Sequence, residues 1–173
     1  MKKVLLVVAQ KNYQPLEYSI PKAILEEAGV KVFTASNQMG EAHSVGNYNS
    51  AKVDISLKEV DITNFDGLFF IGGPGALEYL DNEISYKLLQ AWQATGKPYG
   101  AICISPRILA KAGVLQNKQA TGWNGDNLLE KIFSQFGVGY IGEAVVRDGN
   151  VVTADGPSSA EMFGKKILEV LGK

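Results

Sequence analysis

Four short apolar runs, separated by longer amphipathic stretches, constrain the fold of this 173-residue chain more than any other feature of its sequence. Three of the runs are apolar at consecutive positions rather than at alternate ones, and the second is interrupted only by Lys31 and Thr34. This is typical of strands buried on both faces. The runs are Val4–Ala9, Val30–Ala35, Leu68–Ile71 and Tyr99–Ile102. Their alternation with helical stretches predicts an α/β fold, a three-layer sandwich in which helices cover both sides of a mostly parallel central sheet.

The remaining stretches predict helices and one antiparallel hairpin. Residues 52–57 alternate in polarity as an exposed strand does. Asp148-Gly149 is a turn signal between two apolar segments, which predicts a β-hairpin near 138–154. No linker, repeat or low-complexity segment interrupts the pattern, so we expect a single domain over 1–173. Helices are expected over residues 16–28, 76–94, 106–112, 127–136 and 159–171.

Composition excludes several classes of function. The net charge of −1 argues against a nucleic-acid partner, because phosphate binding usually needs a basic face. One Cys and one His are too few for a disulfide or a Cys/His zinc site, and no metal or cofactor is expected. The N-terminal apolar run is shorter than the about 7–15 residues of a secretory signal. No run approaches the about 18 residues of a membrane span, so we expect a cytoplasmic protein without a membrane partner.

The turn at Cys103 joins a buried strand directly to a predicted helix. The residues two positions away on either side, Ala101 and Ser105, are small, which resembles a nucleophile elbow, a sharp turn without room for larger neighbours. Ser105 is expected to cap the helix and Pro106 to occupy its first position. The sulfur would then face a helix N-terminus, whose partial positive charge favours a thiolate. A cysteine that only packs is the alternative.

An acid lies on the apolar stripe of the first predicted helix. By spacing, Glu17 shares one helical face with Ile20, Ile24 and Ala28, and this face is expected to pack on the sheet. A buried carboxyl is costly unless it is protonated or has a partner. Glu17 and Cys103 belong to elements that open at the carboxyl edge of the sheet, where such folds bind ligands, so we predict one shared site. An acid that only complements the helix dipole is the alternative.

A glycine turn, Gly72-Gly73-Pro74-Gly75, follows the third apolar run at the same edge. Glycines expose backbone N–H groups and allow close approach, which suits an oxyanion hole. The turn fails the G-x-G-x-x-G dinucleotide pattern at its third glycine, and it fails the Walker pattern as well. A plain tight turn is the alternative.

Taken together, these segments resemble the ThiJ/PfpI superfamily, class I glutamine amidotransferase-like proteins with a flavodoxin-like sandwich fold. The resemblance implies that Cys103 is the nucleophile, that Glu17 is the acid beside the sulfur, and that the amides of Gly72, Gly73 and Ile104 line the pocket. It also implies a homodimer or a larger homo-oligomer. The segments run in the family's order over nearly the whole chain: EYSIP (17–21), FFIGGPG (69–75), AICISP (101–106), LAKAGVL (109–115) and DGNVVT (148–153).

Four positions depart from the family pattern or match it only loosely. The protease-like PfpI branch usually has His directly after the cysteine, where this chain has Ile104, so a Cys–His dyad of adjacent residues is absent. The only histidine, His43, falls in a polar segment and is more typical of a surface residue. Glu78 lies near the position of the PfpI-branch acid without matching it. Trp123 stands where several relatives have a polar or His residue, and its indole would narrow the site or change its substrate.

The residues and the resemblance leave three functions open. The first is a cofactor-independent cysteine hydrolase or lyase, glyoxalase-like or deglycase-like, in which the Cys103 thiolate adds to a small reactive carbonyl and Glu17 moves the proton. The second is a PfpI-like intracellular cysteine peptidase that acts on peptides. The third is a thiol redox sensor or stress-response protein without turnover, since an accessible thiol of low pKa oxidises to sulfenic and sulfinic acid.

Overall fold

The apolar runs pair into a central seven-stranded sheet in a computed structural model that describes residues 1–173. Four short 3₁₀ turns complete the elements. The helices are α1 (Pro15–Glu27), α2 (Pro74–Tyr79), α3 (Glu83–Ala94), α4 (Pro106–Lys111), α5 (Leu129–Gln135) and α6 (Ala160–Leu171). The strands are β1 (Lys3–Val8), β2 (Lys11–Tyr13), β3 (Lys31–Ser36), β4 (Gly40–Ser44), β5 (Ser50–Val53), β6 (Ile55–Ser56), β7 (Gly67–Phe70), β8 (Tyr99–Ile102), β9 (Gln119–Ala120), β10 (Gly139–Tyr140), β11 (Val145–Asp148) and β12 (Val151–Ala154).

The order of strands in the central sheet is β11-β12-β8-β7-β1-β3-β6. Only β11 is antiparallel to its neighbour, and every other pair is parallel. This topology confirms the predicted α/β fold with a mostly parallel sheet. Because β1, β7 and β8 are adjacent and parallel, the segments that follow them meet at one edge of the sheet.

Alternate residues of β1 face opposite helical layers. Leu5 and Val7 belong to an apolar cluster that includes residues of α3, α4 and α5. Val4, Leu6 and Val8 belong to a second cluster, which includes residues of α1 and α6. Both faces of the strand are therefore buried, which explains its consecutive apolar residues and confirms the three-layer sandwich. None of the helices has the length and apolar character needed to cross a bilayer.

Three predicted elements have different boundaries in the structure. The helix expected over 76–94 is divided into α2 and α3, because the Asn82 side chain accepts from Ile84 N–H and caps a new helix. The hairpin expected near 138–154 is shorter, since only β11 pairs with β12, whereas β10 pairs with β9 in a separate sheet. Residues 52–57 do not form one exposed strand, because β5 pairs with β4, β6 joins the central sheet and Leu57 is buried.

The buried face of α1 also differs from the predicted one. Glu17, Pro21 and Leu25 are buried at four-residue intervals, whereas Ile20 and Ile24 are partly exposed. Helix α1 packs against α6 as well as against the sheet, and Gly164 of α6 lies beside Ile24. The contact with α6 therefore rotates the apolar stripe, but Glu17 keeps the inward position that its spacing predicted.

The Ser105 side chain does not cap α4, contrary to the expectation, although Pro106 begins that helix as predicted. Its Oγ instead donates to the Ile71 carbonyl at 2.7 Å and ties the end of β7 to the turn after β8. We expect Ser105→Ala to lower the free energy of unfolding by about 1–3 kcal/mol, because it removes a partner from a buried carbonyl. Denaturant titration measures the change, with exposed Ser134→Ala as the control. Equal losses in the two variants would contradict a role for this hydrogen bond.

Candidate active site

Cys103 follows β8 directly and has a left-handed backbone conformation, with φ at 65°. The other non-glycine residues with positive φ are all asparagines, which tolerate this region, whereas strain at such a cysteine is about 1–3 kcal/mol. Two backbone hydrogen bonds hold the turn. Cys103 N–H donates to the Ala154 carbonyl at 2.9 Å, and its carbonyl accepts from Trp123 N–H at 2.7 Å. This strained turn directly after a parallel strand has the backbone geometry expected of a nucleophile elbow.

The glycine turn after β7 approaches Cys103 too closely for a side chain. A Cβ on Gly72 would lie 2.5 Å from Cβ of Cys103 and 2.7 Å from Oε2 of Glu17. Gly73 has φ at 107°, and a Cβ there would lie 2.5 Å from the Asn12 carbonyl oxygen. Both positions therefore require glycine, and the turn places its backbone against the cysteine.

We expect Gly72→Ala to disrupt this packing and to lower the free energy of unfolding by about 1–3 kcal/mol, because the new methyl group has no space. Thermal unfolding measures the stability, and the rate of Cys103 alkylation reports on the geometry of the elbow. The matched control is Gly156→Ala, because a Cβ at Gly156 meets no atom within 4 Å. An unchanged melting temperature together with an unchanged alkylation rate would contradict the prediction.

Glu17 is fully buried beside Cys103. Its Oε2 accepts from Gly72 N–H at 2.9 Å, and the carboxyl interacts with the Cys103 thiol. Its Oε1 has no partner of ordinary hydrogen-bond geometry. Burial raises the pKa of Glu17 from 4.5 to about 7, although the hydrogen bonds from Cys103 and Gly72 oppose the rise. The carboxyl can therefore gain and lose a proton near neutral pH.

The thiol of Cys103 is not the readily ionised group that its position before a helix predicted. Burial and the negative charge of Glu17 raise the pKa of the Cys103 thiol to about 12, against the effect of the N–H groups of Gly73 and Ile104. Helix α4 has only six residues, and its N-terminus does not outweigh these causes. A thiolate at neutral pH is favoured only when Glu17 holds the proton, since this removes the adjacent negative charge.

A cavity of about 510 Å³ opens beside this pair, and five of the predicted residues line it. Gly72 is not one of them. Its N–H donates to Glu17, so it supports the carboxyl and is not free to bind an oxyanion, contrary to the expectation. The five lining residues are Glu17, Gly73, Cys103, Ile104 and Trp123.

Two other candidates lie outside the cavity. His43 lines a separate polar cavity of about 350 Å³ together with Lys11 and Asn12. Glu78 is exposed on α2, where its side chain interacts with the Tyr79 hydroxyl. Neither residue is part of the site, and the Cys103 cavity contains no histidine. No group of three or more His, Cys, Asp or Glu side chains converges as metal ligands do.

Arg107 and Asp126 form a polar wall of the cavity that the sequence interpretation missed. Arg107 is only 5% exposed. Its Nη1 and Nη2 donate to the two Asp126 carboxylate oxygens at 3.0 and 2.7 Å, and Nη2 also donates to the Trp123 carbonyl at 3.2 Å. The hydrogen bonds from Arg107 lower the pKa of Asp126, so the pair is fully ionised and its charges cancel. The only sequence signal was a charged residue in a short, largely apolar helix.

Known proteins resemble this chain over nearly its whole length. The DJ-1/PfpI family model matches residues 2–170. An uncharacterized protein of Methanocaldococcus jannaschii is 34% identical over 172 residues, which cover 99% of this chain and 83% of that protein. Deglycase PfpI of Pyrococcus furiosus is 30% identical over 169 residues, 96% of this chain and 98% of that protein. The crystal structure of a ThiJ/PfpI domain protein from Brachyspira murdochii superposes with a TM-score of 0.92 at 29% identity, over 98% of this chain and 96% of that one.

Proposed function

Since the chain belongs to the DJ-1/PfpI family, we propose that it is a cysteine-dependent enzyme for small reactive carbonyls, with Cys103 as nucleophile and Glu17 as acid and base. The observation that carries this proposal is the left-handed backbone of Cys103 beside a buried carboxyl in one cavity wall. A cysteine that only packs gains nothing from backbone strain or from a buried acid, because both lower stability. Strain of this kind is typical of catalytic positions.

One proton shared between Glu17 and Cys103 accounts for the properties of both groups. With the proton on Glu17, the buried carboxyl is neutral and its desolvation is less costly. The negative charge then lies on the sulfur, where the N–H groups of Gly73 and Ile104 stabilise it. The resting site thus keeps a protonated thiol or a protonated carboxyl, and the approach of an electrophile draws the proton to Glu17.

For a 2-oxoaldehyde, the sulfur forms a bond to the aldehyde carbon, and the aldehyde oxygen takes the proton from Glu17. The ionised Glu17 then removes the hydrogen of that carbon as a proton, and the electron pair forms a double bond to the neighbouring ketone carbon. The former ketone oxygen takes the proton of the adjacent hydroxyl, which gives an enediolate. Return of the proton to the former ketone carbon leaves a thioester, which water hydrolyses to release a 2-hydroxy acid and the thiol. One carbon is oxidised as its neighbour is reduced, so only water is consumed.

The cavity favours carbonyl chemistry over peptide hydrolysis. Ile104 follows the cysteine and His43 lies in a different cavity, so this chain places no imidazole beside the sulfur to activate it or to protonate a leaving amine. The relative from Pyrococcus furiosus is named a deglycase, which also supports a carbonyl substrate. We therefore rank the peptidase function below the carbonyl one.

A thiol redox sensor is the second candidate, because Cys103 is partly exposed and Glu17 Oε1 lacks a partner. The raised pKa of the Cys103 thiol opposes this function, since the thiolate is the form that oxidises. A protonated Glu17 could donate from this oxygen to a sulfinate on Cys103. Mild peroxide should then add about 32 Da, the two oxygens of a sulfinate, at Cys103 and at no methionine. Mass spectrometry that finds no such species would exclude this function.

The test of the principal proposal is turnover of methylglyoxal by the purified protein without added thiol or cofactor. We expect the dicarbonyl to disappear and lactate to form in equal amounts over many turnovers per chain, measured by proton NMR. Consumption that stops at one equivalent per chain would indicate a scavenging adduct and would contradict catalysis. A rate equal to that of buffer would contradict the proposal outright.

A further inference from the structure

Trp123 is the one aromatic residue in the wall of the Cys103 cavity, and this residue is 39% exposed. Its backbone N–H donates to the carbonyl of Cys103, and this hydrogen bond holds the backbone of Trp123 beside the turn at Cys103. Exposing so large an apolar group to water is unfavourable, and such a group in a cavity wall is typical of a binding surface.

The protein holds this indole in place from one side. The guanidinium carbon of Arg107 lies 5.5 Å from the centre of the Trp123 ring. Asp126 fixes that guanidinium with two hydrogen bonds, and the guanidinium also bonds to the Trp123 carbonyl. Because Arg107 covers one face of the ring, the exposed area belongs to the remainder of the indole, which lines the cavity.

The chain also leaves space for the indole at Gly125. A Cβ on Gly125 would lie 2.6 Å from Cζ2 and 2.7 Å from Cε2 of Trp123. The backbone of Gly125 is outside the left-handed region, so its conformation does not require glycine. The glycine is needed because the indole occupies that space, which is an independent sign that the loop is built around Trp123.

The charges of the cavity favour a neutral substrate. Asp126 cancels the charge of Arg107 in an ion pair of 2.7 Å. With one proton between them, Glu17 and Cys103 carry a single negative charge, which disfavours an anionic substrate. No unpaired cation is left in the wall to bind a carboxylate or phosphate. An open aromatic surface beside the nucleophile therefore selects for shape and π character rather than for charge.

We propose that Trp123 is a specificity-determining residue that stacks against a planar aromatic substituent of the carbonyl substrate. This inference rests on the proposed function, and it names aryl 2-oxoaldehydes as the preferred substrate class over methyl ones. Indole stacking accounts for a preference of about tenfold in kcat/KM.

The kinetic test compares phenylglyoxal with methylglyoxal in the wild type, Trp123→Phe, Trp123→Ala and Gly125→Ala. The readout is the ratio of the two kcat/KM values relative to wild type, because this removes the intrinsic reactivity of the substrates. We expect the ratio to fall about tenfold in Trp123→Ala and to be largely kept in Trp123→Phe. The ratio should also fall in Gly125→Ala, because the new methyl group displaces the indole without removing it. An unchanged ratio in Trp123→Ala would overturn the proposal, even if both rates decrease.

A binding measurement separates this proposal from the proposed function. Acetophenone has the aromatic ring but no aldehyde, and the chain has two indole N–H signals in a ¹⁵N–¹H spectrum. We expect acetophenone to shift the Trp123 signal saturably, while the signal of fully buried Trp92, bonded to Pro98, stays in place. Acetone is the control ligand and Trp123→Phe assigns the signals. A shift without turnover of any glyoxal would contradict only the proposed function, whereas turnover with no shift and no change of ratio would contradict only the stacking role.

Discussion

Replacing Cys103 with serine should abolish the turnover of methylglyoxal, with a loss in kcat of at least about 10³-fold. A serine hydroxyl does not transfer its proton to Glu17, as we propose the Cys103 thiol does. The substitution changes one atom in a site of otherwise unaltered packing, so circular dichroism and the melting temperature should stay close to those of the wild type. Lactate formation under substrate saturation measures the effect.

Chemical modification supplies the control for this variant. Because Cys103 is the only cysteine, a thiol reagent must act on it, and alkylation of one group per chain should remove the same activity. A Cys103→Ser protein that turns over methylglyoxal as fast as the wild type would exclude Cys103 as the nucleophile. Loss of activity on alkylation alone would then reflect a blocked cavity.

Replacing Glu17 with glutamine should lower activity and raise stability together. The amide cannot carry the proton, so we expect kcat to fall by about 10²–10⁴-fold. The folded wild type pays for a buried charge above neutral pH, and the neutral amide does not. The expected gain in the free energy of unfolding at pH 8 is about 3 kcal/mol, from the rise of the Glu17 pKa from 4.5 to about 7.

The effect of Glu17 on the free energy of unfolding depends on pH. The folded state holds the proton of Glu17 more tightly than the unfolded state does, since burial raises its pKa. The stabilisation is therefore fully present below pH 4.5 and is lost as the pH rises through about 7. Denaturant titrations from pH 4.5 to 8 should show that the free energy of unfolding of the wild type falls progressively below that of Glu17→Gln. Glu27→Gln, at an exposed position of the same helix, should follow the wild type. Parallel profiles for Glu17→Gln and wild type would contradict a buried, titrating carboxyl.

Short-range patterns in the sequence predicted the strands and the turn that position the candidate site. Consecutive apolar residues located the central strands, and the small neighbours of Cys103 located the tight turn after β8, because strand burial and tight turns depend on a few adjacent residues. Glu17 could be assigned to the interior because helical spacing fixes its direction relative to its neighbours. These inferences needed no knowledge of distant contacts.

Contacts between segments that are distant in the chain could not be predicted from the sequence. Gly72 donates its N–H to Glu17, which lies 55 residues earlier, and this bond turns an expected oxyanion donor into a support for the acid. Arg107 and Asp126 are 19 residues apart and match no motif, so their ion pair could not be anticipated. The thiol pKa was predicted in the wrong direction, because the depth of burial and the adjacent carboxyl depend on how α1 packs on the sheet.

The hydrogen bonds on either side of Cys103 make the site depend on segments that are distant in the sequence. They join the elbow to Ala154 and Trp123, while Glu17 reaches it from the first helix. The groups that contact Cys103 therefore come from distant parts of the chain, and no single strand or helix contributes all of them. Contacts of such long range close slowly, because each one requires a large loop to be ordered first. A chain that has formed only part of its sheet therefore lacks the pairing of Glu17 with Cys103, and its thiol is free of the burial and the adjacent carboxylate that raise the pKa in the native state.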